Sequence, residues 1–100
     1  MSTIYEIGEQ VEIAYTFVNS AGAAADPTVV TVSIKAPSGT ETDYVYGTDA
    51  ECVKDSTGAY HVDLTFAAAG VYHWRWVGTG AVVDAEEGFL RVRASAFTTP

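Results

Sequence analysis

The side chains of this sequence that could do chemistry are few and widely spaced. Two histidines, His61 and His73, and one cysteine, Cys52, are the first candidates for a base and a nucleophile. Nucleophilic catalysis needs a nucleophile, a base and a group that orients the base, and no spacing in the chain assembles such a set. Both histidines occupy the polar phase of alternating segments without a carboxylate partner nearby in the sequence, which predicts plain surface residues. We therefore predict no catalytic residue and no enzymatic activity.

An acidic loop offers oxygen ligands for a cation. Asp49, Glu51 and Asp55 stand at alternating positions, and carboxylates are ligands for a hard cation such as calcium. The loop lacks the glycine and the terminal bidentate glutamate of a recognised calcium loop, and Lys54 interrupts the set. We predict a solvated turn, with no bound metal and no cofactor. The neighbouring carboxylates disfavour a thiolate at Cys52, which we interpret as a partly buried small side chain.

The charge balance limits the partners that the chain can bind. The sequence has 13 Asp and Glu against five Lys and Arg, a formal net charge of −8. Binding to nucleic acid or to an anionic membrane needs a basic patch, so we expect neither partner. The first residues contain no basic, apolar leader, and no run approaches the ~18 apolar residues of a membrane span. Since a lone cysteine cannot close an internal disulfide, we expect a protein made and kept in a reducing cytoplasm.

Alternation of apolar and polar residues at period two indicates strands along most of the chain. The predicted strands are residues 11–18, 28–36, 40–46, 60–66, 72–77 and 89–94, with a short edge strand at 4–7. Residues 47–58 are rich in Asp, Thr and Gly, which predicts a long connection with at most a short strand at 52–53. No helix is predicted, because both Ala-rich stretches run into Asp-Pro or Gly.

Six or seven short strands separated by turn residues are typical of an antiparallel immunoglobulin-like β-sandwich. An up-and-down barrel is the second possibility. We favour the sandwich because Trp74 and Trp76 need an opposing sheet about 10 Å away to cover them. The chain is predicted to be a single domain, residues 1–100, with an ordered part of about 4–94 and a tail of 95–100.

The orientation of an aromatic stripe, Tyr72, Trp74 and Trp76, decides which side chains we assign to the core. A stripe of this kind facing solvent would be a carbohydrate platform, but matching apolar alternation on the neighbouring strands favours burial. The predicted core is Tyr15, Phe17, Tyr60, Val62, Leu64, Phe66, Tyr72, Trp74, Trp76, Leu90 and Val92.

The alternation of side chains in residues 72–77 and 89–94 also predicts an outer face that could dock a partner. If the aromatic stripe points inward, the residues between its members share an outer surface with the alternate residues of the last strand. Arginines beside an exposed aromatic have the composition of interface anchors, which is unexpected on an acidic chain. The alternative is that these arginines pair across strands with carboxylates of the domain itself. The predicted docking face consists of His73, Arg75, Phe89, Arg91 and Arg93.

Turn and core motifs over most of the chain resemble those of a known family. They are residues 5–9, 26–28, 36–40, 55–63 and 69–76. In these segments the chain resembles the small immunoglobulin-like proteins encoded in structural-gene clusters of tailed bacteriophages and prophages. The Gly-x-Tyr pieces at 58–60 and 70–72 also occur in bacterial immunoglobulin-like domains unrelated to phages. Because these motifs belong to turns and core, they carry no active site over to this chain.

The resemblance implies a virion accessory protein that is assembled in the host cytoplasm. Such a protein would be a decoration or cementing subunit of the head, or a neck or tail component, and its partners would be other virion proteins. The competing interpretation is a non-viral binding module for a carbohydrate or a surface.

Overall fold

The computed structural model of the chain describes residues 4–94, which form eight β-strands and no helix. In chain order the strands are β1 (Ile4–Glu6), β2 (Gln10–Thr16), β3 (Val29–Lys35), β4 (Glu41–Val45), β5 (Cys52–Ser56), β6 (Ala59–Thr65), β7 (Gly70–Thr79) and β8 (Asp84–Arg93). The predicted tail, residues 95–100, lies outside the described residues. No helix between residues 4 and 94 has the length and hydropathy to cross a membrane.

The strands belong to two sheets. Five of them lie in the order β1-β8-β7-β3-β4, and the other three in the order β2-β6-β5. β1 pairs with β8 in parallel, whereas the other paired strands are antiparallel. The predicted all-β, two-sheet architecture is therefore confirmed, and the described strands do not close into an up-and-down barrel.

Two strands depart most from the boundaries that alternation predicts. β5 lies in the segment predicted to be mostly connection, and all its side chains except that of Cys52 are exposed. β8 begins at Asp84, five residues before the predicted start at Phe89, because its first half pairs with β7. In that half, Glu86 and Glu87 interrupt the alternation of apolar and polar residues. Backbone pairing extends both strands where side-chain burial gives no signal.

One hydrophobic core lies between the two sheets. Eight of the eleven predicted core residues are buried, and Tyr15, Leu64 and Trp74 are partly buried against them. At its centre Trp76 and Phe17 have no exposed surface, and their rings meet edge to face with centroids 6.3 Å apart. Edge-to-face pairs add to the free energy that burial of such large rings provides.

The two tryptophans of β7 differ in their surroundings. Trp76 is fully buried, and its Nε1 has no hydrogen-bond partner within the described part of the chain. Trp74 is only partly buried, and its indole covers Gly88 of β8, where it fills the space that a Cβ would need. Since Tyr72 is also buried, the aromatic stripe packs into the core and does not offer a flat carbohydrate platform to solvent.

Candidate protein-binding face

The outer face of the five-stranded sheet carries the side chains that alternate with the core residues of β7 and β8. Tyr72, Trp76, Leu90 and Val92 are buried, so the residues between them point away from the core. The five residues of the predicted docking face all occupy exposed positions there: His73, Arg75, Phe89, Arg91 and Arg93. The predicted phase of both strands is therefore the observed one.

An exposed aromatic residue lies near the middle of this outer face. Phe89 is 63% exposed and pairs directly with His73 across β7 and β8, with ring centroids 6.3 Å apart. The next outward pair is Arg91 with Val71, which is also exposed. Two apolar side chains are thus interleaved with an imidazole and a guanidinium, as at the anchors of protein interfaces.

The three arginines of the face differ in their partners. Arg93 forms an ion pair with Glu6 of β1, with 2.6 Å between Nη2 and Oε1. Arg93 therefore pairs with a carboxylate of the domain itself, as the alternative prediction stated. Arg75 stands opposite Glu87 in the β-ladder. Among residues 4–94, neither Arg75 nor Arg91 is a member of an ion pair.

Sequence reasoning missed a fourth cation on the same face. Lys35 of β3 stands directly opposite His73 of β7. Together with Pro37 and Val71 these two residues line an open groove of about 580 Å³, which Glu87 also borders. The sequence indicates that Lys35 points to the polar side of its strand. It cannot show that β3 lies beside β7, because these strands are far apart in the sequence.

The outer face is close to neutral, although the chain is strongly acidic. It holds four of the five Lys and Arg, and the strand register places four carboxylates on it, namely those of Glu6, Glu41, Asp43 and Glu87. Three of these carboxylates lie on the two edge strands, β1 and β4. The formal charge of −8 therefore resides on the rest of the molecule, and within this face the inner strands β8, β7 and β3 carry all four cations and one of the four carboxylates.

The outer surface of the three-stranded sheet carries the other histidine. The prediction that His61 has no carboxylate partner nearby in the sequence is wrong: its Nε2 lies 3.3 Å from Oδ2 of Asp63, and its Nδ1 lies 2.7 Å from Oδ2 of Asp55. The hydrogen bond with Asp55 raises the pKa of His61. Asp63, two residues along the same strand and so on the same side, was the signal in the sequence for this pairing.

The acidic loop does not gather its carboxylates around a common point. Oδ2 of Asp49 accepts a hydrogen bond of 2.8 Å from the backbone N–H of Val45, whereas Asp55 pairs with His61. Cys52 is buried, more completely than predicted, and burial, followed by the charge of Asp49, raises the pKa of its thiol. A raised pKa keeps the thiol protonated and unreactive.

A third polar cluster joins the loop before β3 to β5 and β6. Asp26 accepts hydrogen bonds from Nζ of Lys54 at 2.8 Å, the backbone N–H of Gly58 at 2.8 Å and the hydroxyl of Tyr60 at 3.0 Å. The bond from Lys54 is the main cause of the lowered pKa of Asp26. Burial, aided by Asp26, raises the pKa of Tyr60 to about 12. These hydrogen bonds join the loop before β3 to the three-stranded sheet.

Comparison with known families and with curated proteins finds no match to this sequence. Among solved structures, the chain is similar to part of a putative glycoside hydrolase from Bacteroides vulgatus, with a TM-score of 0.60 and 11% sequence identity. The similarity covers 93% of this chain but only 16% of that protein. At this identity the likeness describes the fold alone, as one segment of a much longer polypeptide.

Proposed function

We propose that the chain is a non-enzymatic, immunoglobulin-like domain that docks onto a partner protein through the outer face of its five-stranded sheet. Strand order supports the immunoglobulin-like assignment. In that fold, strands B, E and D form one sheet and strands G, F and C form the other, with C′ added in variable-type domains. The orders β2-β6-β5 and β8-β7-β3-β4 correspond to these two sets.

A local feature of β7 supports the same assignment. The hydroxyl of Tyr72 donates a hydrogen bond of 2.7 Å to the backbone carbonyl of Ala68, four residues earlier. A tyrosine that bonds back across the connection before strand F is the tyrosine corner of immunoglobulin-like domains. The disulfide of antibody domains has no counterpart, since Cys52 is the single cysteine.

The observation that carries the docking proposal is the exposure of Phe89 amid the cations of the outer face. Exposure to water of a large aromatic side chain, here 63%, is unfavourable. Binding of a partner over the ring would remove this apolar surface from water and so contribute to affinity. Arg75, Arg91 and Lys35 lie on the same face, on β7, β8 and β3, and form no ion pair in the described part of the chain. They can therefore donate hydrogen bonds to a partner without first breaking one within the domain.

The geometry of the histidines is consistent with a binding role. The described contacts of His61 are with Asp55 and Asp63, and that of His73 is with the ring of Phe89. Within residues 4–94, neither imidazole has a contact with a serine, threonine or cysteine from which it could remove a proton, as covalent catalysis would need.

The partner that we propose is another virion protein, with this domain as a decoration, cementing, neck or tail component. The resemblance of the turn and core motifs to phage immunoglobulin-like proteins supports it. Mass spectrometry of purified particles tests it. Hundreds of copies per particle would indicate decoration, a handful would indicate the neck or tail, and absence from the particles would contradict the virion role.

A second candidate function is that of an accessory domain that attaches a larger protein to a carbohydrate or a surface. The similarity to one segment of a putative glycoside hydrolase favours it. Under this alternative the domain would be absent from particles, and purified protein would be retained on polysaccharide in affinity electrophoresis.

The docking face itself is tested by rebinding to particles that lack the protein. Phe89→Ala combined with Arg91→Gln should weaken attachment at least tenfold, since truncation of a central aromatic anchor costs about 2 kcal/mol or more. Val83→Ala is the matched control, because Val83 is 82% exposed in the turn between β7 and β8. If both variants fold and attach as the parent does, the outer face is not the docking site.

A further inference from the structure

The outer surface of the three-stranded sheet holds a group of metal-ligating side chains that the docking proposal does not use. One ligand atom from each of Glu12, His61 and Asp63 lies within 4.8 Å of the other two. Glu12 belongs to β2 and the other two to β6, so paired strands fix the backbone positions of all three. We call these three residues the His61 cluster.

The imidazole of the His61 cluster is oriented by a residue outside it. Asp55 of the neighbouring strand β5 lies 2.7 Å from Nδ1 of His61. When Asp55 accepts the Nδ1 proton, the neutral ring presents the lone pair of Nε2 on its other side. A carboxylate behind a histidine is the usual arrangement of metal-binding histidines, because it fixes the tautomer and makes the ligating nitrogen more basic.

The spacing of the two ligand atoms on β6 suits one metal ion. Nε2 of His61 and Oδ2 of Asp63 are 3.3 Å apart. Two atoms that each bind zinc at about 2.0–2.1 Å with tetrahedral geometry are also about 3.3 Å apart. The third ligand, Glu12, has a flexible, exposed side chain that can close on the same point.

The strand register gives an independent reason for a cation at this place. Glu12 and Asp63 are direct partners in the ladder between β2 and β6. Like charges directly opposite each other on neighbouring strands destabilise a sheet. A divalent cation between the two carboxylates would replace this repulsion by attraction and would neutralise both charges.

We propose that Glu12, His61 and Asp63 bind one divalent transition-metal cation of the zinc type. An imidazole nitrogen with two carboxylate oxygens is a donor set for zinc and its neighbours, whereas calcium takes six to eight oxygen ligands. Three protein ligands leave a fourth position for water or for a side chain of another protein. The site lies on the opposite sheet from the docking face, so it stands independently of the docking proposal.

Calorimetric titration of the metal-free protein with Zn²⁺ tests the site. We expect one saturable site per chain for the parent protein, and a loss of affinity of more than tenfold for both His61→Ala and Asp63→Asn. Asp55→Asn should weaken binding by about tenfold or more, as removal of an orienting carboxylate does in other zinc sites. Thermal unfolding with a chelator present establishes that each variant is folded.

Two controls separate a built site from the general attraction of an acidic chain for cations. His73→Ala removes the other histidine, and Glu51→Gln removes an exposed carboxylate of the acidic loop; both should bind Zn²⁺ as the parent does. Ca²⁺ at the same concentration should not compete. If His61→Ala binds as tightly as the parent, or if binding is weak, multiple and equally sensitive to Glu51→Gln, the site does not exist.

Discussion

The outer surfaces of the two sheets differ in how their charged side chains are arranged. On the five-stranded sheet, four cations and four carboxylates balance, and Phe89 and Val71 lie exposed between them. On the three-stranded sheet, the imidazole of His61 has two carboxylates in contact and Glu12 close by. The first surface has the composition of a protein interface and the second that of a cation site. Placing them on opposite sides of one core allows both to be occupied at once.

Replacement of the central tryptophan should have the largest effect, because both surfaces rest on the same core. Trp76→Ala removes a fully buried ring from contact with Phe17 and should lower the free energy of unfolding by about 3–5 kcal/mol. Trp74→Ala removes a partly buried ring and should cost clearly less. Urea denaturation of the two variants measures the difference. Equal losses would mean that Trp74 carries as much of the core as Trp76.

A substitution at Gly88 should disturb one surface and spare the other. A Cβ at this position would overlap the indole of Trp74, so Gly88→Ala should cost about 1–3 kcal/mol as overpacking. The displaced indole should shift amide resonances around Phe89 on β8 and leave those around His61 on β6 in place, as measured by two-dimensional NMR. Shifts spread evenly over both sheets would show that the surfaces are not separable.

The hydrogen bonds that Asp26 accepts from Lys54, Gly58 and Tyr60 predict a smaller, pH-dependent effect on stability. Tyr60→Phe removes one hydrogen bond to the carboxylate of Asp26 and should lower stability at pH 7 by about 1 kcal/mol. The folded protein holds the pKa of Asp26 below its ordinary value of 3.8. Stability from this carboxylate is therefore present above the unfolded pKa and is lost as the pH falls through the folded pKa.

Acid denaturation series of the parent and of Tyr60→Phe measure this dependence. The difference in unfolding free energy between the two proteins should shrink as the pH falls below about 3.8. A difference that stays constant down to pH 2 would mean that the hydroxyl acts through packing and not through the charge of Asp26.

Removing single carboxylates should have the smallest effects, and these should differ between the two surfaces. Glu12→Gln relieves repulsion from Asp63, so in metal-free buffer it should raise the free energy of unfolding by a few tenths of a kcal/mol. Glu87→Gln removes a charge opposite Arg75 and should lower stability slightly or not at all. Matched thermal melts in chelator measure both changes. Destabilisation by Glu12→Gln without metal would contradict the repulsion between the two carboxylates.

From the sequence, the residues of the candidate site could be predicted only where they lie on one strand or on two consecutive strands. The phase of β7 and β8 placed His73, Arg75, Phe89, Arg91 and Arg93 on exposed positions correctly, because a strand sends alternate side chains to opposite sides. The sequence could not add Lys35, whose strand is beside β7 only through a long-range pairing. It also could not show that Glu6 of β1 engages Arg93, since these residues come from opposite ends of the described chain.

By itself, the sequence determined the all-β class with two sheets, eight of the fifteen buried core residues and the alternation of the clear strands, because these follow from local periodicity and from the need to bury apolar side chains. Tertiary structure alone decided which charges of different strands meet. Asp55 reaches His61 because β5 pairs with β6, and Glu12 faces Asp63 because β2 pairs with β6 on its other side. Charge contacts depend on strand order and register, and many orders satisfy the same hydrophobic pattern.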